Sequence, residues 1–216
     1  MLTTIRRDAL HLNPNDGLVL LYGHPAVLPL GLYAAADRLL AGETVLYLDG
    51  ANVFDPFLIS RLARVGGITP STLLARLHVS RAFTCHQMER LVAERLAPAL
   101  DAHRARTAIL SGPLETFYDD AVPPDEALRL LRGMFPALRD LAHRGYRLLA
   151  LCPPPPAQAH GRHRLLMSFQ AQADRLIRAE ETDGALRLCE EPPSGSSPTW
   201  RIPTGSLDHG HTRKAR

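Results

Sequence analysis

The stretch "GLVLLYGHPAVLPLGLYAAADRLLAGETVLYLD", Gly17 to Asp49, decides the fold. An apolar run, Leu18 to Tyr22, stops at Gly23, passes through a turn rich in Gly and Pro, and gives way to a helical pattern from about Leu30 to Ala41. A second apolar run, Thr44 to Asp49, follows. Strand, turn, helix, strand is the start of a parallel α/β sheet, whose strands are covered on both faces and so read as continuous apolar runs. It is also the setting of a phosphate-binding loop of the form G-x-x-x-x-G-K-[ST], where backbone N–H groups wrap the phosphates, the lysine reaches the terminal ones and the hydroxyl takes magnesium. Laid on Gly23, that frame puts Leu28, Pro29 and Leu30 where Gly, Lys and Ser/Thr belong.

No other register supplies the lysine, because every basic residue except Lys214 is arginine. Arginine is a planar fork, not a compact point charge, and does not replace lysine in a tight backbone cradle. The turn "GHPAVLPLG" is therefore expected to be closed by its own side chains.

Outward from this stretch the alternation continues. Strands are predicted at Leu77–Ser80, Thr107–Ser111 and Arg147–Cys152, and helices at about Asp55–Val65, Cys85–His103 and Asp125–Arg144. Strands alternating with helices imply right-handed crossovers and a mostly parallel sheet. The helix beginning "PPDEALRLLRGMFPALRDLAHRG" opens on Pro and acidic residues, carries Leu128, Leu131, Phe135, Leu138 and Leu141 at helical spacing, and ends at Gly145; Pro136 is expected to kink it. "PPPPAQAHGRHRLLMSFQAQ" reads as a loop. "ADRLIRAEETDGALRLCEE" reads as a hairpin about Asp183-Gly184, followed by a short strand at "TWRIP". One domain is expected over residues 1–204, with 205–216 a disordered basic tail.

The 216 residues carry a formal charge of +3, with 45% hydrophobic and 22% charged residues, the balance of a globular chain. No apolar run approaches the roughly 20 residues of a membrane span, and the amino terminus has no signal-peptide core, so a cytoplasmic protein is expected. Cys85, Cys152 and Cys189 are scattered and odd in number, which suggests neither a disulfide framework nor a zinc motif. No metal or cofactor is predicted.

"YLDGANVFDP" (Tyr47–Pro56) and "VSRAFTCHQM" (Val79–Met88) resemble the RecA/RadA-type recombinase ATPase core in its archaeal and eukaryotic form. There a strand ends in "YID-T-E", a helix follows "F-x-P", and the next strand runs into "ARAFN-x-x-HQ". The resemblance continues weakly through "TAILSGPLETFYDD", as the magnesium-binding (Walker B) strand, to the C-terminal hairpin. It implies a RecA-like, P-loop-type fold with a C-terminal antiparallel extension. It also implies where the chemistry of phosphoryl transfer belongs. The lysine position is Pro29 and the magnesium hydroxyl position Leu30. The Walker B aspartate falls on Ser111, the water-activating glutamate on Ala51, and the γ-phosphate sensors near Cys152 and Pro153. All are replaced, so the resemblance implies a pseudo-ATPase.

Asp49 is expected to cap a turn and His86 to play a structural or interfacial part, while Asp119 and Asp120 read as solvated. Of the two loops that face DNA in that family, the first, "FYDDAVPP", is acidic. The second holds His160, Arg162, His163 and Arg164 with Phe169 nearby, the mix of cations and a ring that suits single-stranded nucleic acid. The expected function is a noncatalytic accessory protein in DNA recombination or repair, binding a protein partner and single-stranded DNA. The alternatives are a nucleotide-binding or weakly active ATPase with an unorthodox site, and a scaffold unrelated to DNA on a RecA fold.

Overall fold

Five apolar runs become strands where the sequence predicts them: β1 (Leu18–Tyr22), β2 (Val45–Asp49), β3 (Leu77–Arg81), β4 (Thr107–Ser111) and β5 (Arg147–Cys152). The computed structural model describes residues 12–13, 16–159, 161–191 and 199–203, and the expected tail at 205–216 lies outside them. β6 (Arg175–Thr182) and β7 (Ala185–Glu191) form the expected hairpin about Asp183 and Gly184, whose φ values of 52° and 67° suit a two-residue type I′ turn. β8 (Thr199–Pro203) pairs antiparallel with β7.

The eight strands make one sheet in the order β3-β2-β4-β5-β1-β6-β7-β8. Strands β1 to β6 pair in parallel, and only the β6–β7 and β7–β8 ladders are antiparallel. All five residues of β1, β2 and β4 are buried. Their side chains alternate between two cores: Leu18, Leu20 and Tyr22 face one, Val19 and Leu21 the other. Each leucine or isoleucine so enclosed contributes about 1.5–3 kcal/mol of transfer free energy.

Helices cover both faces. On one lie α1 (Val27–Leu40), α2 (Pro56–Val65) and the short α3 (Pro70–Leu74), through Leu30, Leu39, Ile59, Ala63 and Leu73. On the other lie α4 (Cys85–Arg90), α5 (Leu96–Ala102), α6 (Pro124–His143) and α7 (His163–Gln170), through Met88, Leu100, Leu131, Leu138 and Phe169. The helix expected over 85–103 is interrupted by a π-helical turn, Leu91–Arg95. The widened turn falls where the ring of Pro98 would otherwise meet the carbonyl of Glu94. α6 runs through Pro136 as one helix. α7 lies inside the segment expected to be a loop, because Leu165 and Phe169, one helical turn apart, are drawn into the core.

The crossovers that leave β1 and β2 run over the α1 face, and those that leave β4 and β5 run over the α6 face. At the pairs β1/β5 and β2/β4, neighbouring strands send their chains to opposite sides. Such points open crevices at the carboxyl ends of strands, where α/β proteins bind ligands. No helix among the described residues is long and apolar enough to cross a membrane.

Candidate functional site

The β1/β5 crevice holds the turn that the phosphate-loop frame falls on. Gly23 N–H donates to the Cys152 carbonyl (3.3 Å), closing the mouth of the crevice backbone to backbone. Ala26 N–H donates to Nδ1 of His24 (3.2 Å). Val27 N–H donates to the His24 carbonyl (3.0 Å) and Leu28 N–H to that of Pro25 (3.3 Å). Pro25 and Pro29 have no N–H at all. The donors that would meet a phosphate are thus spent on neighbours one turn away, and Val27 and Leu30 are buried. The closure expected from the sequence is real, but the backbone achieves it as much as the side chains do.

At the β2/β4 crevice the two chains approach closely. Gly50 and Ala51 N–H groups both donate to the Ser111 carbonyl (2.9 and 3.2 Å). A Cβ added at Gly50 would lie 2.5 Å from the carbonyl oxygen of Gly112, so only glycine fits. Asp49, fully buried, accepts from the N–H groups of Val53 and Phe54 (both 3.1 Å) and meets Arg81 Nε at 3.3 Å. It caps the turn after β2, as expected. Ser111 is buried, and its hydroxyl has no hydrogen-bond partner among the described residues.

Beside this crevice is an open cavity of about 400 Å³, walled by the ends of β2 and β3, the 3₁₀ turn Glu115–Phe117 and the chain after β5. Asn52, Phe83, Glu115, Thr116, Tyr118 and Asp119 line it. Asn52 is held at φ 55°, a left-handed conformation that asparagine tolerates better than most residues. One Glu115 carboxylate oxygen, the Thr116 hydroxyl and the Tyr118 hydroxyl lack partners. Burial pushes the Glu115 carboxyl up to about 7. It pushes the Tyr118 hydroxyl and the Cys152 thiol up as well, and Glu115 adds to both. Asp119 turns one oxygen to the N–H of Ala121 (2.9 Å), while Asp120 is exposed. Sequence reading passes over Glu115. Its only signal is a lone carboxylate among apolar neighbours in "GPLETFY".

The DNA-binding candidates do not come together. Phe169 is wholly buried, its ring edge-on to Phe135 at 5.9 Å, and is unavailable to a base. Arg162 is only 4% exposed and donates to the carbonyls of Phe117 and Val122, clamping the segment that walls the cavity. These two expectations are corrected: tertiary packing has claimed both side chains. His163 and Arg164 are exposed at the start of α7, and His160 lies outside the described residues. The "HQ" of "TCHQM" has a local role. Gln87 accepts from the N–H of Phe83 (2.7 Å) and donates its own N–H to the Thr84 hydroxyl (3.2 Å), a reciprocal cap on α4. His86 stands at the surface, 3.6 Å from Glu126.

Neither protein-family models nor curated proteins give a match to this chain. Among the described residues, no three His, Cys, Asp or Glu side chains group as metal ligands.

Proposed function

We propose that this chain is a RecA-like pseudo-ATPase, an accessory protein of DNA recombination or repair that works by binding a protein partner. The observation that carries the reading is the β1–α1 turn, whose N–H donors are already used or absent. The strand order supports it too: β5 alone separates β1 from β4, and the positions compared with recombinases, Ala51 and Ser111, sit together at the ends of β2 and β4. Neither offers a carboxylate. Phosphoryl transfer needs a cradle, a magnesium ligand and a group to orient water, and these positions supply none.

The surface at the same end of the sheet suits a partner. Val53, Phe57 and Phe83 are exposed on segments that leave the paired strands β2 and β3, Phe57 by 82% and Phe83 by 66%. Aromatic side chains exposed in this way are the usual anchors of protein interfaces. A contact to single-stranded DNA belongs to the reading as well, carried by His163 and Arg164 without an aromatic platform. Equilibrium binding of labelled ATP with magnesium tests the core of it: no affinity in the micromolar range is expected, and finding one overturns the pseudo-ATPase reading. Binding to a labelled single-stranded oligonucleotide should weaken with salt and be lost in a His163→Ala, Arg164→Ala variant. No loss removes the DNA contact.

A further inference from the structure

We infer that the cavity beside the β2/β4 crevice receives an arginine side chain of the protein partner. The inference rests on the partner-binding reading above and names the chemistry of the contact.

The lining decides the charge of the occupant. The cavity carries two carboxyl side chains, Glu115 and Asp119, and no arginine or lysine lines it. In a chain with a net charge of +3 this is a local reversal of sign. Two nearby arginines are engaged elsewhere: Arg81 meets Asp49, and Arg162 donates to two backbone carbonyls. An anionic group is therefore disfavoured, and a cation is favoured.

The unpartnered atoms decide the kind of cation. One oxygen of Glu115, the hydroxyl of Thr116 and the hydroxyl of Tyr118 are buried without a partner, and Thr116 and Tyr118 are each only 8% exposed. Buried polar atoms in folded proteins are almost always satisfied, so three at one cavity mark a place where a ligand completes the set. All three can accept. Guanidinium is a donor-only group with five N–H bonds in a rigid fork, able to serve several acceptors at once, whereas ammonium offers three from a point. The Phe83 ring at the rim, 66% exposed, gives the planar fork a face to lie on.

The surroundings decide that the cation comes on a macromolecule. Phe57 and Val53, exposed beside the cavity's β2 wall, are apolar surface that a free amine would leave uncovered. An arginine held in a pocket with aromatic surface around it is the make-up of an interface anchor.

The test uses the full ¹⁵N-labelled chain titrated with N-acetyl-arginine amide, N-acetyl-lysine amide and the neutral isostere N-acetyl-citrulline amide. Arginine amide is expected to shift the backbone signals of Asn52, Phe83 and Glu115 to Asp119, and to bind at least about fivefold more tightly than citrulline amide. Glu115→Gln and, separately, Phe83→Ala should each weaken it by about fivefold or more. Equal binding of the citrulline probe, no shifts at these residues, or full binding by both variants overturns the inference. Free arginine binding far more tightly than the blocked amide also overturns it, because the occupant would then be a small metabolite. ATP-dependent shifts at Gly23 to Leu28 would sink the accessory-protein reading and leave the arginine result legible by itself.

Discussion

Replacing Glu115 by glutamine should make the protein more stable, and increasingly so as the pH rises. The folded protein holds the Glu115 proton up to about pH 7, while a carboxyl in the unfolded chain releases it near 4.5. Between those values the unfolded state binds fewer protons, so this group makes stability fall as pH rises through the window, and the loss is complete above it. A displacement from 4.5 to about 7 corresponds to at most about 3 kcal/mol. Glu115 is only half-buried, and solvent screening should reduce this to about 1–2 kcal/mol. The neighbouring Tyr118 and Cys152 are raised by burial and do not titrate in this range, and Asp119 is exposed. Glutamine keeps the shape and has no charge to desolvate. Urea denaturation of wild type and Glu115→Gln at pH 5 and pH 8 measures the effect. At pH 5 the two should be nearly equal; at pH 8 the variant should gain about 1–2 kcal/mol, or about 3–6 °C in melting temperature. A variant that gains nothing between pH 5 and pH 8, or loses stability, refutes the claim that the ionised carboxylate is held there at a cost.

Arg162→Ala leaves the Phe117 and Val122 carbonyls without their donor and should cost about 2–3 kcal/mol in chemical denaturation, whereas Arg164→Ala should change stability by no more than about 0.5 kcal/mol. Phe169→Ala should cost about 3–5 kcal/mol, measured in the same way, because it empties a fully enclosed site against Phe135. Asp49→Ala frees two backbone N–H groups in the turn after β2. A loss of about 2–3 kcal/mol and faster amide exchange at Val53 and Phe54 are expected. With a thiol reagent on the native protein, Cys189 should react readily while the buried Cys85 and Cys152 wait for unfolding.

The strands of the parallel sheet were legible because burial on both faces leaves no room for a polar residue, so each run announces itself. The hairpin was legible because Asp183 and Gly184 are residues that a two-residue turn demands. α7 was not. Its apolar signal is brief, it follows four prolines, and the residues that hold it, Phe135 and the carbonyls of Phe117 and Val122, are distant in sequence. The same long-range contacts turned Arg162 from a surface charge into an internal brace. The loss of the phosphate site was legible at Pro29 and Leu30 as side chains. The hydrogen bonds that complete it come from the backbone, which residue types alone do not report. Glu115 escaped notice for a related reason: what singles it out is the absence of a partner, and absence is a property of the packed structure.

The β1–α1 turn also bears on reversal. Substituting lysine for Pro29 would bring back one charge and one N–H, yet the N–H groups of Ala26, Val27 and Leu28 would remain committed to His24 and Pro25. A phosphate would have to break three local hydrogen bonds before gaining any, at about 1 kcal/mol each. No single step back toward an ATPase is rewarded, so the lineage carrying this turn is free to change its surface while its ancestral pocket stays shut.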